Sequence, residues 1–488
     1  MRAADVRAAF VYRLPDAGMP GAAIVERAIR SLKEACPGAA IFVSDESAGS
    51  AATVLKEKGL VEQLRAVARA TLSDEQDSIA LCFDYYAFLD PTLYVEARRR
   101  HFEFLAQYSY SENVPPGFLP DLISKELIEQ LPEELNEDLR SFVFRNIDRY
   151  DAELLYFDPD LRQHRLNLSG ATGRSRALVE SVLQHNPELR YSQLQEFVSA
   201  HPESLRPYPS CIEVELTSRS PVTPVYWPGA KSARNADLPS DLLEGLLEDV
   251  EKNAFYRDVS FIFGGLGEPL LYDALDDVLE RALGLPAVRQ VYVETFASGL
   301  SSGRVQAWDG LGGSDRLNVI VRLNTLDRKR YASLHGADML PAVMEHVEGL
   351  KNGTYRLKLF AEMLRIKDTD DEVGAFFDYF EKSAFTPILQ KFNTYLGAVE
   401  QRRVADLTPL HRDFCWHLAR DLYITADGRS PVCKQDPFAK RSGLDLREHS
   451  IEAIWTAGQK NHAASVRGEH EVISMPCLEC DEWYTFNA

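Results

Sequence analysis

The sequence lacks long apolar runs, and none approaches the roughly 20 uninterrupted apolar residues of a membrane-spanning helix. Arg2, Asp5 and Arg7 interrupt the first residues, so no secretory signal is expected there. Positive charge is also scarce: 54 Lys and Arg face 74 Asp and Glu, a formal net charge of −20. Such a chain repels nucleic acid phosphates and anionic lipid surfaces. We therefore expect a cytoplasmic protein with neither nucleic acid nor membrane as a general partner.

Cysteine is scarce as well, and its distribution is uneven. Four of the seven cysteines lie in the carboxy-terminal tail. The other three have apolar neighbours, and thiols in such surroundings are usually buried and inert. We expect that behaviour for Cys36, Cys82 and Cys211.

The first half of the tail pattern is a predicted hairpin. Cys415 is followed by Leu422 and Ile424, which predict a strand, and then by Asp427-Gly428, which predicts a tight turn. A second short strand would then carry Cys433. Two thiolates are therefore expected near one end of the hairpin.

The second half of the pattern is a Cys-x-x-Cys knuckle, whose spacing lets the sulfurs of Cys477 and Cys480 face one point. Four convergent thiolates suit Zn²⁺ or an iron–sulfur cluster. The spacing alone does not choose between these metals, since zinc ribbons usually show two such knuckles and this tail shows one. Scattered cysteines without a metal are the third interpretation.

The tail resembles the SPASM domain, the cluster-binding tail of many radical S-adenosylmethionine (SAM) enzymes. Asp427-Gly428 before Cys433, and the run Ser450–Trp455 before Cys477, fit that family. The resemblance covers roughly the last eighty residues. It implies one auxiliary [4Fe–4S] cluster per chain. The cluster ligands would be Cys415, Cys433, Cys477 and Cys480.

The first part of the chain, up to about residue 120, alternates short apolar runs with helical patterns. Ala8–Tyr12, Ala40–Ser44 and Ile79–Phe83 predict strands, and Ile24–Lys33 and Ala51–Ala70 predict helices. Such alternation indicates a parallel sheet with helices on its faces. The order of elements resembles the nucleotidyltransferase-like Rossmannoid fold of sugar-nucleotide and molybdopterin cytidylyltransferases.

That family holds a metal ion at the end of its third strand, where this chain has Asp84. A second metal-binding acid is replaced by Tyr85 and Tyr86. Nucleotidyl transfer needs Mg²⁺ at this place, and one carboxylate binds Mg²⁺ weakly. The resemblance therefore implies the fold more than the activity.

The nucleotide cradle of the same family also departs from its pattern. In the family, a Gly-rich basic loop presents its amides to a triphosphate. Here the loop Val11–Gly21 has Arg13 but no Gly-Gly pair, and Leu14–Asp16 occupies the cradle position. We interpret this domain as a scaffold, and active nucleotidyl transfer is the alternative.

The middle of the chain shows six short apolar runs in series, separated by helical patterns such as Leu238–Asn253. Six β/α units predict a partial parallel barrel, with its ligand site at the carboxyl ends of the strands. The predicted strands are Ile212–Leu216, Val259–Phe263, Gln290–Thr295, Asn318–Leu323, Arg356–Met363 and Pro387–Lys391.

This segment resembles the radical SAM core at Ile212–Ser220, the opening strand, and at Gly264–Pro269, where that family's backbone grips the methionine moiety of SAM. It also follows the family's later strands at Val321–Gly336 and Lys367–Phe380. The SAM-binding residues that the resemblance implies are Gly264, Gly265, Gly267 and Glu268. The alternative is structural, since glycines allow a tight turn from a strand into a helix.

One defining feature of the radical SAM core is missing. The family places three cysteines, separated by three and then two residues, just after the first strand. Those positions hold Ser220, Pro224 and Trp227, none of which ligates iron as a thiolate does. Without that cluster there is no electron route to the sulfonium of SAM, so we predict no radical chemistry.

The whole order of domains resembles the spiro-SPASM family known from spirochaetes. It predicts a Rossmannoid domain at 1–205, a radical SAM-like barrel at 206–400 and a SPASM domain at 401–488. We infer a non-radical iron–sulfur protein that binds a peptide or protein partner or transfers electrons. The alternative is an enzyme: a radical SAM/SPASM-type peptide-modifying enzyme that borrows a cluster, or a nucleotidyltransferase using the first domain.

Overall fold

The protein is described by a computed structural model that covers residues 4–14, 18–135, 137–228, 235–441 and 443–484. The chain divides into two compact units, Met1–Pro207 (unit 1) and Tyr208–Ala488 (unit 2). Pro15 and Asp16 of the predicted nucleotide cradle lie outside the described residues. None of the helices in the described ranges combines the length and the apolar character that a bilayer crossing requires.

Unit 1 is built on one seven-stranded sheet with helices packed against it. Its elements in chain order are β1 (Val6–Tyr12), α1 (Ala22–Ala35), β2 (Ala40–Val43), β3 (Thr53–Val54), α2 (Leu60–Thr71), β4 (Ser78–Phe83), α3 (Pro91–Glu103), β5 (Tyr108–Ser111), β6 (Asp121–Ser124), α4 (Lys125–Gln130), α5 (Leu139–Arg145), β7 (Ala152–Leu155), α6 (Gly173–His185) and α7 (Leu194–Ala200).

The strand order in this sheet is β3-β2-β1-β4-β6-β5-β7. β1 pairs in parallel with β2 on one side and with β4 on the other, whereas β6 runs antiparallel to both β4 and β5. The chain leaves β1 toward β2 and later returns to the other side of β1 as β4. The strand order therefore reverses between β1 and β4, where open α/β sheets bind their ligands.

One predicted helix of unit 1 is shorter than expected. The pattern over Ala51–Ala70 predicts a continuous helix, but α2 begins only at Leu60. Thr53 and Val54 instead pair with β2, and Gly59 has a φ of +80°. A backbone in that left-handed region cannot continue a right-handed helix, so the helix starts after the glycine.

Unit 2 contains the second seven-stranded sheet and the cysteine-rich tail. Its elements are β8 (Cys211–Val214), α8 (Ser240–Lys252), β9 (Val259–Phe263), α9 (Leu275–Leu283), β10 (Val288–Thr295), α10 (Ser302–Asp309), β11 (Leu317–Arg322), α11 (Arg328–His335), α12 (Leu340–Lys351), β12 (Lys358–Arg365), α13 (Val373–Phe380), β13 (Phe385–Lys391), α14 (Trp416–Arg420), β14 (Asp421–Ile424), β15 (Arg429–Pro431), β16 (Gly443–Asp445), α15 (Ile451–Ala457) and α16 (Gln459–Val466).

Strands β8 to β13 lie side by side in chain order and all their pairings are parallel. Their side chains are mostly apolar, and one continuous hydrophobic core joins the strands to helices such as α8 and α9. Such buried parallel strands need covered faces, which the helices between them supply. The predicted α/β class, with six parallel β/α units in series, is confirmed.

The tail extends this sheet. β14 pairs in parallel with β8, with Leu422 opposite Ile212. The predicted turn follows, with Gly428 at a φ of +80° and the Thr425 carbonyl accepting from the Gly428 amide at 2.8 Å. The antiparallel partner of β15 is β16, not β14. Cys433 lies two residues beyond the end of β15, rather than within a strand as predicted.

Candidate functional site

The four tail cysteines line one common cavity in unit 2. Cys415 immediately precedes α14, and its amide donates to Ser465 Oγ at 2.9 Å. Cys433 follows β15, and a short 3₁₀ turn at Cys477–Glu479 brings Cys477 and Cys480 to the same cavity. The structure thus gathers side chains that lie far apart in sequence.

The surroundings of the four thiols are apolar apart from a few polar groups. The apolar lining residues are Leu396, Leu418, Val432, Met475 and Pro476. Arg412 adds a positive charge, and its Nη1 donates to the Cys480 carbonyl at 3.1 Å. The Glu482 amide donates to Cys480 Sγ at 3.4 Å. Hydrogen bonds to sulfur and nearby charge are the features that tune protein-bound iron–sulfur clusters.

Burial strongly opposes ionisation of these thiols. It raises the pKa of Cys415 to about 12 and that of Cys477 to about 11. Burial also raises the pKa of Cys433 well above its ordinary value, and the neighbouring Cys415 and Cys480 raise it further. Four such groups become thiolates together only when a bound cation or cluster compensates their charge.

The spacing of the sulfurs bears on which metal group fits them. Among the described residues, the set whose ligand atoms all lie within 4.8 Å of one another is His185, His201 and Glu203 in unit 1, and no three of the four cysteines form such a set. Four thiolates on a single zinc ion lie about 3.8 Å apart, given Zn–S bonds of about 2.3 Å. The described cysteine sulfurs are therefore not grouped as closely as the ligands of one zinc ion.

Beside the tail, charged side chains occupy the carboxyl half of the unit 2 strands. We call this set, with the loop residue Lys434, the mouth. Its members on strands are Glu213 (β8), Glu294 (β10), Arg322 (β11) and Glu362 (β12). Arg322 pairs with Glu294, and Lys434 Nζ lies 2.7 Å from Glu213 Oε1. Two of the three buried carboxylates therefore have a direct partner of opposite charge.

The third carboxylate, Glu362, makes no direct ion pair within the described residues. Burial raises the pKa of Glu362 to about 7, although Arg322 acts in the opposite direction. Burial by itself would also raise the pKa of Glu294, but Arg322 and Lys434 hold it below its ordinary value. The mouth therefore contains one carboxyl that changes its charge near neutral pH.

Aromatic rings fill the space next to these charges. The Trp227 ring centroid lies 4.6 Å from the Arg322 guanidinium and 5.2 Å from the ring of Phe296. Tyr226 is buried, and its hydroxyl accepts from Asn324 Nδ2 at 2.9 Å. Burial lowers the pKa of the neighbouring His335 to about 3, so its imidazole is neutral at physiological pH. Arg322 is thus covered by aromatic faces, which attract cations.

The three positions at which radical SAM enzymes have cysteines all lie in the loop after β8. Ser220 Oγ accepts from the Val222 amide at 3.3 Å, and Pro224 is buried. The ring of Trp227 packs over the Arg322 guanidinium. Two backbone hydrogen bonds tie the loop to α11, from the Thr223 amide to the His335 carbonyl at 2.8 Å and from the Val225 amide to the Leu334 carbonyl at 2.9 Å.

A polar cavity of about 110 Å³, which we call the mouth cavity, lies between the mouth and the tail. Its lining combines Glu362, Gln390 and Lys391 from the strands with His417 and Cys433 from the tail. Cys433 also lines the four-cysteine cavity, so the two cavities are adjacent. Both ring nitrogens of His417 are already engaged, by Asp421 Oδ2 at 2.6 Å and the Glu482 carbonyl at 3.1 Å.

The predicted SAM-binding turn follows β9. Gly265 has a φ of +81°. A Cβ on Gly267 would lie 1.7 Å from the Thr217 carbonyl oxygen, and one on Gly264 would lie 2.9 Å from Glu294 Oε2. These glycines therefore permit close packing of the turn against protein atoms.

Glu268 in the same turn is fully buried, and its carboxylate accepts three hydrogen bonds. The donors are Thr295 Oγ1 at 2.7 Å, the Phe296 amide at 2.7 Å and the Leu270 amide at 3.0 Å. These bonds fasten the turn to the end of β10. Burial raises the pKa of Glu268, whereas the hydrogen bonds lower it and so compensate part of that effect.

In unit 1, an arginine meets the predicted metal ligand. Asp84 follows β4 and is buried, and its Oδ2 lies 3.3 Å from Arg13 Nε. Arg13 Nη1 also lies 2.7 Å from Asp45 Oδ2, and the Tyr85 hydroxyl donates to Asp45 Oδ1 at 2.7 Å. A guanidinium thus supplies the positive charge that a metal ion would bring. The remaining cysteines, Cys36, Cys82 and Cys211, are buried as predicted.

The sequence interpretation missed the mouth. Glu213, Glu294, Arg322 and Glu362 each stand inside a strand that is otherwise largely apolar. Charged residues are rarely buried unless they are paired, so four of them in buried parallel strands are a signal in themselves. What the sequence does not show is that these side chains meet at one end of the sheet.

Comparison with known proteins gives a sequence relative below 30% identity and several distant structural likenesses. No protein-family model matches the chain. A protein of Treponema pallidum (strain Nichols), described as uncharacterized, is 28% identical over 364 residues, which cover 71% of this chain and 99% of that protein.

The solved structures that resemble the chain do so with low TM-scores and low sequence identity. BtrN in complex with AdoMet and 2-DOIA is 18% identical with a TM-score of 0.36, covering 57% of this chain and 98% of that one. Streptococcus suis SuiB bound to precursor peptide SuiA is 14% identical with a TM-score of 0.41, covering 62% and 76%. A cytidylyltransferase from Leptospira borgpetersenii is 14% identical with a TM-score of 0.35, covering 41% and 96%. These likenesses carry no statement about ligands or activity.

Proposed function

We propose that the chain is a non-radical iron–sulfur protein. In this proposal Cys415, Cys433, Cys477 and Cys480 hold one [4Fe–4S] cluster, and the neighbouring mouth cavity receives a side chain of a peptide partner. The observation that carries the proposal is the position of Cys433, which lines both the four-cysteine cavity and the mouth cavity. A ligand in the mouth would therefore lie beside the metal group.

The donor set supports a cluster over zinc. All four candidate ligands are cysteines, and no three of these described sulfurs are as close together as a single zinc ion requires. Arg412 offsets part of the negative charge of a tetrathiolate cluster, and the Glu482 amide donates to one sulfur. When bound, the cluster would supply one-electron transfer or a structural cross-link between distant parts of the tail.

Three features of unit 2 disfavour SAM chemistry. The cysteine positions hold Ser220, Pro224 and Trp227, and the space beside Arg322 is filled by Trp227. The glycines at Gly264–Gly267 pack against protein atoms. The mouth cavity of about 110 Å³ is smaller than the roughly 300–1,000 Å³ of ordinary small-molecule sites.

A cavity of this size suits a single side chain, which is why we propose a peptide. The strand β13 is an edge of the sheet, and its residues Gln390 and Lys391 line the cavity. An extended peptide can add to an exposed sheet edge through main-chain hydrogen bonds while a pocket selects one of its side chains. The polar groups at Glu362 and Asn393 would receive hydrogen-bond donors from that side chain.

Counting metal and sulfide tests the cofactor. After anaerobic purification of the full chain, we expect about four irons and four acid-labile sulfides per chain. Zinc without sulfide would reject the cluster. Roughly eight irons per chain would indicate a second cluster and contradict the non-radical interpretation. Ser220→Ala should leave the iron content unchanged.

Reaction with SAM tests the absence of radical chemistry. With dithionite as reductant, no 5′-deoxyadenosine should form above background, and its catalytic formation would contradict the proposal.

The peptide site is tested separately by selecting a displayed random peptide library on the full chain. Glu362→Leu replaces the lining carboxylate by an apolar group of similar size and should abolish binding of the enriched peptides, whereas Glu345→Leu at an exposed position of α12 should not.

A further inference from the structure

Unit 1 contains a cavity much larger than the one in the mouth. It measures about 1080 Å³ and is lined by Tyr12 at the end of β1 and Phe83 at the end of β4. These strands are the neighbours between which the strand order reverses. Open α/β sheets bind ligands outside the carboxyl ends of the strands at such a reversal. The volume suits an organic molecule or part of a peptide.

The inner part of this cleft is aromatic and aliphatic. Tyr12, Phe83 and Tyr86 present rings, and Leu60 and Val61 at the start of α2 add alkyl groups. Tyr86 is 2% exposed, so its ring belongs to the floor of the cleft rather than to the rim. Aromatic faces attract cations, and alkyl groups pack well against such a floor.

The charged groups around the cleft are predominantly acidic. The lining carboxylates are Glu62, Glu133, Glu134, Glu137 and Asp138, and the lining cations are Lys58, Arg65 and Arg140. The cleft therefore carries a net negative charge. A concave site with one prevailing sign of charge concentrates ligands of the opposite sign.

Two of the three cations are already engaged by the protein. Arg140 donates to Asp121 through Nε at 2.9 Å and Nη2 at 2.5 Å. Arg65 Nη2 donates to the Leu131 carbonyl at 2.6 Å. In contrast, Glu133 and Glu134 are exposed and form no ion pair within the described part of the chain. The carboxylates, not the guanidinium groups, are the groups available to a ligand.

We propose that this cleft binds an organic cation, namely an ammonium or guanidinium group on an alkyl chain. The alkyl chain would lie against the aromatic floor, and the charge would face Glu133, Glu134 and Glu62. Such a group occurs in the lysine or arginine side chain of a peptide and in a free polyamine. A nucleotide fits poorly, because its phosphates would meet these carboxylates and because Arg13 already neutralises Asp84.

Calorimetric titration of the full chain tests the proposal at low ionic strength, where surface charges are least screened. The probes are spermidine, the blocked tripeptide acetyl-Lys-Leu-Lys-amide, and CTP with Mg²⁺. We expect one of the two cationic probes to bind measurably and CTP to show no binding at millimolar concentration. Tighter binding of the tripeptide identifies a peptide source, and tighter binding of spermidine identifies a free amine.

Charge variants separate the cleft from general attraction to an acidic chain. E133Q/E134Q should lower the affinity for the cationic probe about tenfold, since two charge-assisted contacts are lost. E46Q/E196Q changes the net charge equally at exposed positions outside the cleft and should leave the affinity unchanged. K58Q removes a like charge from the rim and should strengthen binding about threefold.

Two results would overturn the inference. One is equal weakening by E133Q/E134Q and E46Q/E196Q, which would show that only net charge matters. The other is the absence of measurable binding by either cationic probe, whether or not CTP binds. Circular dichroism of each variant shows whether unit 1 stays folded, and the opposite direction expected for K58Q cannot result from unfolding. None of these outcomes depends on the metal content of the tail.

Discussion

The mouth and the four-cysteine tail adjoin each other in unit 2, yet they differ in how their charges are balanced. In the mouth, Glu294 has Arg322 and Glu213 has Lys434 as direct partners. In the tail, burial raises the pKa of all four thiols, of which Cys415 is buried and the other three are half-buried, and Arg412 is the one Arg or Lys lining their cavity within the described residues. Protein cations therefore pair with two of the three carboxylates in the mouth, whereas the thiols of the tail have no such partners among the described residues.

The comparison shows two ways in which a protein satisfies a charged site. Where protein cations and aromatic rings lie against buried carboxylates, the protein itself compensates the negative charge, and these side chains occupy the space that a cofactor would need. Where all the groups of a site are of one kind, their charge is compensated only when a ligand of opposite charge binds. In unit 1, Asp84 is likewise compensated by a protein cation, Arg13. The tail is therefore the region of unit 2 whose stability we expect to depend most on a bound metal group.

The largest expected effect follows from removing the knuckle. C477S/C480S should abolish the visible absorption of the cluster and lower the melting temperature of the full chain. The decrease in the free energy of unfolding should equal the binding free energy of a structural metal site, on the order of 10 kcal/mol. Absorption spectroscopy with iron counting measures the loss of the cluster. Unchanged iron content would remove the contrast between tail and mouth.

A smaller effect is expected from breaking the pair in the mouth. R322Q leaves Glu294 buried without its partner, which costs about 3–5 kcal/mol in the free energy of unfolding. E294Q/R322Q removes both charges and should recover much of that loss. Urea denaturation of both variants measures the difference. If R322Q is as stable as the parent chain, the mouth is not held together by this pair.

The carboxyl of Glu362, which has no direct ion pair among the residues that the structure describes, should make stability depend on pH. Its folded-state pKa of about 7 lies above the unfolded value of about 4.3, so the charged form destabilises the fold. E362Q should therefore be more stable than the parent by about 3 kcal/mol at pH 8. The difference should shrink as the pH falls through 7 and vanish below about pH 4.

Unfolding measured at pH 8 and at pH 5 checks this prediction. E345Q, which changes an exposed carboxylate on α12, is the matched control and should show no such dependence. A stabilisation by E362Q that is equal at both pH values would mean that Glu362 does not titrate in this range. Arg322, Glu294 and Lys434 are the charged groups that act on Glu362.

The smallest expected effect concerns Arg412, the cation at the tail. A positive charge favours the reduced, more negative form of a cluster, so R412Q should lower its reduction potential by roughly 50 mV. Redox titration followed by electron paramagnetic resonance measures the shift. K460Q removes an equal charge from the exposed end of α16 and is the control. A rise in potential for R412Q would contradict the role given to Arg412.

Much of the fold follows from local sequence patterns. The apolar runs at Val259–Phe263 and at Gln290–Thr295 lie in β9 and β10, because buried parallel strands leave a continuous apolar signature. The helix predicted over Ala51–Ala70 was wrong at its start, since one glycine with positive φ outweighs the periodicity around it. The joining of β14 to β8 was not predictable, because pairing between distant strands leaves no local trace.

By itself, the sequence determined which chemical groups are present: four cysteines in the tail, no cysteine at Ser220, Pro224 or Trp227, and a single acid at Asp84. These are properties of covalent structure, and no fold can supply a missing thiolate. Only the tertiary structure decided which groups meet. It placed Arg13 on Asp84, Trp227 over Arg322, and Cys433 between two cavities. Such contacts join residues far apart in the chain, so they depend on packing rather than on any local preference.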